Sequence, residues 1–387
     1  MVKAIKVMLI PNNVQKTKMF QYAGASRFAY NWALAREIEN YEKGGKFLSD
    51  AELRKEFTKL RHSDEYAWLL NISNNVTKQA IKDACTAYKN FFKGLQKFPR
   101  FKSKKRSMPK FYQDNVKIRF SNTHVKFEGF SSSRKANKQK MNWVRLAEHG
   151  RIPTDVKYMN PRISFDGLNW WISVCVEFPD CRETLNDDGV GIDLGIKDLA
   201  ICSDGTKYKN INKSQKVKKL EKQKRRLQRS ISRSYEKNKK GESYCKTNNV
   251  IKKEKLLLKR NHRLTNIRKN YLNQTISEII NRKPRFICIE DLNVSGMMKN
   301  RHLSKAVQVQ GFFGFRKQLE YKCSDKGIQL IVADRFYPSS KLCSCCGNIK
   351  KDLKLSDREY RCECGNMIDR DFQASINLKT YGEKFAS

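Results

Sequence analysis

The chain has 387 residues and carries 80 Lys and Arg against 39 Asp and Glu, which gives a formal net charge of +41 at pH 7. This excess goes far beyond what solubility requires and is self-repelling unless a polyanion neutralises it, so nucleic acid is the favoured partner. The charge alone also fits a ribosomal-type or other generic basic protein. The sequence has no run of about 18 apolar residues, and its first residues turn polar too soon for a signal peptide. Membrane and secreted classes are therefore excluded, and we expect a cytoplasmic, nucleoid-associated protein.

The length suits two or three domains, and a chain of this size can bury a core without disulfides. Five of the 12 cysteines lie close together between residues 343 and 364. Several others stand singly in apolar segments, as is typical of small buried side chains in a reducing compartment. Histidine occurs only five times, so carboxylate and metal chemistry is favoured over a mechanism based on imidazole.

The amino-terminal region begins with a predicted strand, Ala4 to Ile10, that ends at the turn residues Pro11, Asn12 and Asn13. Apolar residues then recur at helical spacing from about residue 14 to residue 97. One of these predicted helices stops at Gly44 and Gly45, and another covers Val76 to Phe92. We predict that residues 14–97 form one helical bundle.

A change of composition ends the helical region, where prolines, basic residues and aromatics gather in KFPRFKSKKRSMPKFY. Short predicted strands follow in VKIRF and VKFEGF, and RISFDGLNWWISVCVEF is typical of a β-hairpin that turns at Asp166 and Gly167. Because a strand also precedes the helices, we predict a small β-domain of residues 1–13 and 98–185 that is closed by the first strand. The helical bundle would be inserted into it.

From about residue 186 onward the pattern predicts an α/β unit. Strands are expected on both sides of a turn at Gly195 and again in RFICIEDL and IQLIVADRF, with an amphipathic helix that ends at Gly327. Residues 207–269 hold 24 Lys and Arg and only four acids, in a pattern of two long helices. This run is either a solvated helical hairpin or a surface that contacts the backbone of RNA or DNA.

Three acidic residues occupy apolar or strand-like settings: Asp193 in GVGIDLGIKDLAI, Glu290 in RFICIEDLNV and Asp371 in IDRDFQASINL. A carboxylate buried without a partner is costly or becomes protonated, so three of them suggest a shared divalent cation, Mg²⁺ or Mn²⁺. Two such ions about 4 Å apart stabilise the attacking and leaving oxygens of a phosphodiester, which predicts in-line hydrolysis by water. On this order of strands and helices, the acids indicate an RNase H-type core.

The surroundings of the three acids yield further expectations. The glycines beside Asp193 are expected to leave room for a phosphodiester, and Glu290 is expected at the carboxyl edge of the sheet. Asp371 is placed in the first turn of a helix that would bury Ile368, Phe372 and Ile376. Each acid also has a structural alternative, since Asp369 or Asp371 could cap that helix and Glu290 or Asp291 could pair with an arginine.

The clustered cysteines form two pairs, Cys343 with Cys346 and Cys362 with Cys364, separated by fifteen residues. This spacing is close to that of a zinc ribbon, and four thiolates would close the coordination sphere of a structural Zn²⁺. The second pair is one residue shorter than CxxC. Cys345 is a spare that could replace a neighbouring ligand.

An ordered set of segments along nearly the whole chain resembles the TnpB family, the OrfB-type proteins of bacterial insertion sequences that are related to type V CRISPR effector nucleases. In the first half the resemblance lies in YNWALAREIENY, NNVTKQAIKDACTAYKNFFKG and FPRFKSKKR. In the second half it lies in GIDLGIKDLA, HRLTNIRKNYL, IEDLNVSGM, GFRKQLEYKC, VADRFYPSSKLCSCCG, LSDREYRCECG and DRDFQASINL.

The resemblance implies that Asp193, Glu290 and Asp371 are the three RuvC-type catalytic acids, since the family places the third one two residues before an Asn. That position is Gln373 here, and Ser375 stands where the family usually has Ala. The implied fold is a β-barrel wedge domain (residues 1–13 and 98–185) with an inserted helical recognition bundle (residues 14–97). A RuvC-like nuclease domain (residues 186–387) follows, with a basic helical insertion at residues 207–280 and a zinc-ribbon insertion at residues 338–367.

The resemblance also implies the activity of an RNA-guided DNA endonuclease encoded by an insertion sequence. A noncoding guide RNA would pair with one strand of double-stranded target DNA, and the protein would read a short flanking motif, by analogy with CRISPR effectors. We expect a monomer on its RNA. Two alternatives remain open, namely a nuclease-silent RNA-guided repressor and a transposase that acts without guide RNA.

Overall fold

A computed structural model of the chain describes residues 1–130, 141–179, 184–354 and 357–386. The chain divides into two compact units, Met1–Pro179 and Asp180–Ser387. Among the described residues, no helix is both long enough and apolar enough to cross a membrane.

The first unit contains a seven-stranded sheet in the order β2-β6-β7-β1-β5-β4-β3. Its strands are β1 (Val2–Ile10), β2 (Lys110–Tyr112), β3 (Arg119–Phe120), β4 (His124–Lys126), β5 (Trp143–Leu146), β6 (Tyr158–Phe165) and β7 (Trp170–Glu177). Strand β1 pairs antiparallel with β7 from Val2 to Leu9 and then reaches β5, so the first strand joins two parts of the sheet. Within the described residues no ladder joins the edge strands β2 and β3, and closure into a barrel stays a prediction.

In the part of the first unit that the structure describes, all helices lie between β1 and β2 in the sequence. They are α1 (Asn13–Glu42), α2 (Asp50–Arg61), a 3₁₀ helix (Asp64–Asn71) and α3 (Asn74–Phe92). Helix α1 begins with a capping box, in which the side chain of Asn12 accepts from the backbone N–H of Gln15 and the side chain of Gln15 accepts from that of Asn12. Buried residues from the helices and the sheet, including Tyr22, Phe111 and Trp170, form one hydrophobic core.

The second unit contains a mixed five-stranded sheet in the order β10-β9-β8-β13-β14. The strands of this sheet are β8 (Val190–Leu194), β9 (Asp198–Cys202), β10 (Lys207–Lys209), β13 (Phe286–Glu290) and β14 (Gln329–Ala333). Two separate two-stranded sheets are formed by β11 (Lys239–Lys240) with β12 (Ser243–Tyr244) and by β15 (Glu359–Arg361) with β16 (Met367–Asp369). Strand β13 pairs in parallel with both β8 and β14, whereas β9 pairs antiparallel with both β8 and β10. The acids at 193 and 290 therefore belong to adjacent central strands.

The helices of the second unit are α4 (Gln215–Lys237), α5 (Asn248–Asn281), α6 (Val294–Lys299), α7 (Ser304–Gln310), α8 (Phe312–Lys326) and α9 (Arg370–Phe385). The two basic helices α4 and α5 pack together through a small cluster that includes Val217, Leu220 and Leu264. Leu256 of α5 is 43% exposed and lies outside this cluster.

Alternation along the central strands separates the two faces of this sheet. On one face, Ile192, Ile287 and Ile289 belong to the core that also includes residues of α5 and α8. On the other face, Phe286 and Cys288 pack with Leu378 of α9. Strand β13 is therefore apolar on both sides, which explains its continuous hydrophobic run.

Gly191 lies where helix α9 crosses β8. A Cβ atom at this position would stand 2.0 Å from the backbone O of Ser375 and 2.4 Å from the backbone N of Lys379. The space beside Gly191 is thus occupied by the protein's own helix, and the prediction that this glycine leaves room for a phosphodiester is wrong.

The buried face of α9 also differs from the prediction. Phe372 and Ile376 are only half-buried, and Ile368 belongs to β16 before the helix begins. The buried residues are instead mostly small or polar: Gln373, Ala374, Ser375, Asn377 and Leu378. Close approach of the helix to β8 leaves no space for larger side chains on this face.

We predict that Gly191→Ala lowers the free energy of unfolding by roughly 1–3 kcal/mol, because the new methyl group overlaps helix backbone that cannot move aside easily. The control is Gly314→Ala in α8, where an added Cβ meets open space. That substitution should stabilise the protein by about 0.5–1 kcal/mol. Urea denaturation of both variants measures the effect, and equal stability of Gly191→Ala and the wild type would contradict the packing described.

Candidate active site

Asp193 and Glu290 are brought together by the pairing of two parallel strands. The ladder between β8 and β13 pairs Ile192 with Ile289, and each acid is the next residue along its strand. Because side chains alternate, both acids lie on the face of the sheet that α9 covers. Glu290 ends β13, as the sequence predicts for the carboxyl edge of the sheet.

Asp371 reaches the same site from the first turn of α9. The helix is capped by Asp369, whose carboxylate accepts from the backbone N–H groups of Asp371 and Phe372 at 3.1 and 3.0 Å. The cap is therefore Asp369, and the Asp371 side chain is available for another role. Its Oδ1 lies 2.9 Å from a guanidinium nitrogen of Arg370, and Arg358 lies 3.9 Å from Oδ2.

All three acids line one cavity of about 620 Å³. Four cationic residues line the same cavity, namely Lys197, Lys213, Arg358 and Arg370. The ammonium of Lys213 donates to the backbone O of Lys197 at 2.9 Å, which holds that cation at the rim. A cavity with acids and cations side by side suits a ligand that contains both a metal ion and a phosphate.

The electrostatics of the acids show that they act on one another. Burial, followed by the charges of Glu290 and Asp371, raises the pKa of Asp193 well above its usual range. Burial also raises the pKa of Glu290, an effect that the hydrogen bond from the Ser339 hydroxyl opposes and the charge of Asp371 reinforces. The charges of Glu290 and Asp371 therefore disfavour ionisation of Asp193, and a divalent cation bound at the acids would relieve this repulsion.

The donor set fits a hard divalent cation, because carboxylate oxygens are what Mg²⁺ and Mn²⁺ prefer. The carboxylates are less tightly grouped than the cysteines, however. Among the described residues, only the four cysteines form a set of three or more His, Cys, Asp or Glu whose ligand atoms all lie within 4.8 Å of one another. Asp371 is paired with Arg370.

The cysteine cluster consists of the four predicted residues, Cys343, Cys346, Cys362 and Cys364. The Sγ atoms of Cys343 and Cys364 are 3.6 Å apart, as are those of Cys346 and Cys362. Burial opposes ionisation of Cys343, but hydrogen bonds from the backbone of Cys346 and Cys345 and from Asn366 lower its pKa to about 6. This arrangement fits a tetrahedral thiolate site for zinc.

The shortened second pair is accommodated by two similar turns. The N–H of Gly347 donates to the O of Cys343 and the N–H of Gly365 donates to the O of Cys362, both at 3.0 Å. The two glycines have φ values of 73° and 87°, a conformation that favours glycine. Cys345 is exposed and does not belong to the group of four, so the spare cysteine does not replace a neighbour.

Gln373, which stands at the position of the family's Asn, is fully buried and ties α9 to the cysteine loops. Its Nε2 donates to the backbone O of Leu342 at 2.8 Å, while its Oε1 accepts from Asn366 at 2.8 Å and from Ser344 at 3.3 Å. Asn377 adds bonds of 2.7 Å to the backbone O atoms of Ser339 and Leu342. The Gln side chain thus uses both its amide nitrogen and its amide oxygen in bonds to the cysteine loops.

Some residues of the site were not predicted. Ser339 lies 49 positions from Glu290 in the sequence, and no motif connects them. Arg370 could have been predicted as a site residue because it separates Asp369 from Asp371. No local signal distinguishes Lys197, Lys213 and Arg358 from the chain's many other cations. Two of the suggested alternatives are confirmed beside the site. Asp369 caps α9, and Asp291 pairs with Arg316 at 2.7 Å and with Arg335.

Three family models match parts of the chain. A model described as "Probable transposase" matches residues 173–301, a "Cas12f1-like, TNB domain" matches residues 312–378, and a "Helix-turn-helix domain" matches residues 1–46. Residues 1–46 contain one strand followed by the single helix α1. The structure therefore shows no helix-turn-helix in that region.

Similar proteins extend over nearly the whole chain. "Putative RNA-guided DNA endonuclease InsQ" of Escherichia coli (strain K12) is 30% identical over 380 residues, which cover 93% of this chain and 87% of the relative. A protein of Streptomyces pristinaespiralis with the same functional description is 29% identical and covers 98% of this chain and 89% of its own length.

The fold is similar to that of a solved effector. The cryo-EM structure of the Cas12f1-sgRNA-target DNA complex matches with a TM-score of 0.57 and 13% sequence identity, over 94% of this chain and 82% of the other. At this identity the match supports the mixed α/β fold alone. The relatives that match over almost their full length decide the assignment, and on that ground this chain belongs to the TnpB family.

Proposed function

We propose that this chain is an RNA-guided DNA endonuclease that hydrolyses target phosphodiesters at Asp193, Glu290 and Asp371. The observation that carries this proposal is that three acids distant in sequence line one cavity in a chain whose full-length relatives are named as such nucleases. The catalytic domain is an RNase H-like, RuvC-type core, which the sheet order β10-β9-β8-β13-β14 supports.

Each residue of the cavity has a defined part in this function. The three carboxylates hold Mg²⁺ or Mn²⁺, which when bound activates water and stabilises charge on the phosphodiester oxygens. Lys197, Lys213 and Arg358 line the same cavity and bind the phosphates of the substrate strand. Ser339 orients Glu290 through its hydrogen bond to Oε1. Arg370 balances the charge of Asp371 until a metal ion is bound.

The remaining regions serve the nucleic acids. We assign residues 1–13 and 98–185 to a β-barrel wedge domain and residues 14–97 to a helical recognition bundle, which together hold the noncoding guide RNA and the flanking motif of double-stranded DNA. Residues 186–387 form the nuclease domain, and its basic insertion at residues 207–280 contacts the heteroduplex backbone. The protein acts as a monomer on its RNA, at the DNA of the nucleoid.

The zinc ribbon of residues 338–367 holds the end of the active-site helix in place. Four thiolates leave no open position on Zn²⁺, so the metal is structural. Gln373 and Asn377 of α9 form hydrogen bonds to residues 339, 342 and 366 of the ribbon. These bonds connect the zinc site to the helix that carries Asp371.

We predict that Asp193→Asn lowers guided cleavage by roughly 1000-fold or more, because it removes a ligand of the metal ion. The RNA that copurifies with the protein is sequenced, remade with a chosen guide segment and reconstituted with the chain in Mg²⁺, and cleavage of matched and mismatched plasmids is measured. The matched control is Asp291→Asn. Asp291 follows Glu290 in the sequence and is paired with two arginines. This variant should retain activity within a few fold.

Three results would contradict this function. Equal cleavage by the wild type and Asp193→Asn would remove the acids from the mechanism. Binding of matched DNA without cutting in Mg²⁺ or Mn²⁺ would indicate a guided repressor. If the protein joins the ends of the insertion sequence to other DNA in the absence of RNA, it is a transposase.

We predict that Asp193→Asn stabilises the metal-free protein, because the native state holds an acid whose pKa is raised by burial and by neighbouring acids. A raised native pKa means that wild-type stability falls as the pH rises from about 4, the unfolded value of Asp, through the raised native value. The advantage of the variant in EDTA should therefore grow with pH over that interval. Melting temperatures across pH measure this, and Mg²⁺ should raise the melting temperature of the wild type but not of Asp193→Asn.

We predict that Cys343→Ser loses its bound zinc, from about one ion per chain to none, and unfolds at lower temperature. The control is Cys345→Ser, a neighbouring exposed cysteine outside the cluster, which should keep its zinc. Metal analysis and thermal denaturation measure both properties. Zinc retained by Cys343→Ser at the wild-type level would rule out this ligand set.

A further inference from the structure

The first unit contains a cavity that shares no residue with the acid site or the cysteine cluster. The cavity has a volume of about 930 Å³, within the size range of small-ligand sites. Its walls come from the first half of α1, from the loop of residues 104–109 and from the tip of the β6–β7 hairpin.

The cavity is strongly cationic. Arg27, Lys104, Lys105 and Arg106 line it, and Asp166 is the one acid in its wall. Within the described residues none of these four cations has a carboxylate partner. Asp166 instead accepts hydrogen bonds from the N–H groups of residues 168 and 169 and from the indole of residue 171, at 2.6 to 2.9 Å. An anion is therefore the complementary ligand.

The loop that carries three of these cations is held in a fixed turn. The N–H of Ser107 donates to the O of Ser103 at 2.9 Å, the N–H of Ser103 to the Oγ of Ser107 at 3.1 Å, and the N–H of Arg106 to the Oγ of Ser103 at 3.2 Å. The preceding residue, Lys102, is clamped by the side chain of Asn31, which bonds both its N–H and its O at 2.8 Å. A ligand that binds here meets cations that are carried on a fixed backbone turn.

The cavity also presents a surface on which a ring can stack. Phe20 is 45% exposed and Met108 is 58% exposed, and both line the cavity. The Phe20 ring is held edge-on by Phe165 and Trp170, with centroids 5.2 and 5.0 Å away. An aromatic platform beside fixed cations is the arrangement that binds bases and phosphates of single strands.

We propose that this cavity binds a nucleotide of a single strand, with its base against Phe20 and Met108 and its phosphates at Arg27 and Lys104 to Arg106. The proposal rests on the nucleic-acid function given above and adds a defined contact to it. A base-paired duplex would not fit as well, because its bases are stacked inside the helix and are not free to lie on a recessed ring. The nucleotide belongs either to the guide RNA or to an unpaired strand of the target DNA.

Photo-cross-linking of the reconstituted complex tests the site and identifies the source of the nucleotide. 5-Iodouracil is placed either in the RNA or in the target DNA, the complex is irradiated, and the modified peptides are mapped by mass spectrometry. We expect adducts on Phe20 or Met108 in one of the two arms. The Met108 adduct should fall by about tenfold in Phe20→Leu, because a stacking contact is lost. It should be unchanged in Phe92→Leu, whose ring is 56% exposed on α3 outside the cavity.

Adducts that map only elsewhere in both arms would overturn the proposal, as would a Met108 adduct that is unaffected by Phe20→Leu. Guided cleavage is measured in the same preparation. Cleavage without adducts in the cavity would reject this site and leave the endonuclease function standing, whereas adducts without cleavage would support the site and contradict that function.

The charge of the site is tested by the salt dependence of binding of a labelled single strand of twelve uridines. Lys104→Gln with Lys105→Gln should reduce the slope of log K against log salt by about 1.4, that is about 0.7 for each lost phosphate contact. The control is Lys93→Gln with Lys97→Gln, two exposed lysines outside the cavity. An equal reduction in both double variants would indicate general attraction by a basic surface and would overturn the proposal.

Discussion

The close packing of helix α9 against strand β8 is the contact on which the candidate active site depends. It is possible because residue 191 has no side chain, so the backbone of Ser375 and Lys379 can lie directly over the strand. Through this contact Asp371 reaches the cavity that Asp193 and Glu290 also line. A helix held a few ångströms further from the sheet would leave the third carboxylate outside metal-binding distance. The third acid is therefore as much a consequence of helix packing as of its own position in the sequence.

The same helix connects two centres with opposite requirements. The acid site must keep carboxylates close together although burial and mutual repulsion raise the pKa values of Asp193 and Glu290. At the cysteine site, four thiolates would fill the coordination sphere of Zn²⁺, and such a structural site makes the loops around it rigid. Gln373 and Asn377 join them, because their amides bond to the loops at residues 339–344 and 366. Stability supplied at the cysteines thus helps to hold the helix that carries Asp371.

Much of this arrangement could be predicted from local patterns. Strand alternation assigned Asp193 and Ile192 to opposite faces, the apolar run before Glu290 placed it at the end of a strand, and the cysteine spacing selected the four clustered residues. These signals are local, since each depends on neighbours within a few positions. Contacts between distant segments left no such signal. The bond between Ser339 and Glu290 and the approach of α9 to Gly191 both depend on tertiary packing, which is why the role of that glycine was predicted wrongly.

The corrected role of Gly191 also changes where the substrate can enter. Because α9 covers the strand beside Asp193, a phosphodiester cannot approach over that face. The acids remain accessible through the cavity at the carboxyl edge, which is lined by Lys197, Lys213 and Arg358. Cations at this entrance attract the strand, whereas the carboxylates behind them repel it unless a divalent ion is bound. In the proposed function, the chain's large positive charge attracts the DNA, and the buried acids at the end of this entrance are the place for the divalent cation.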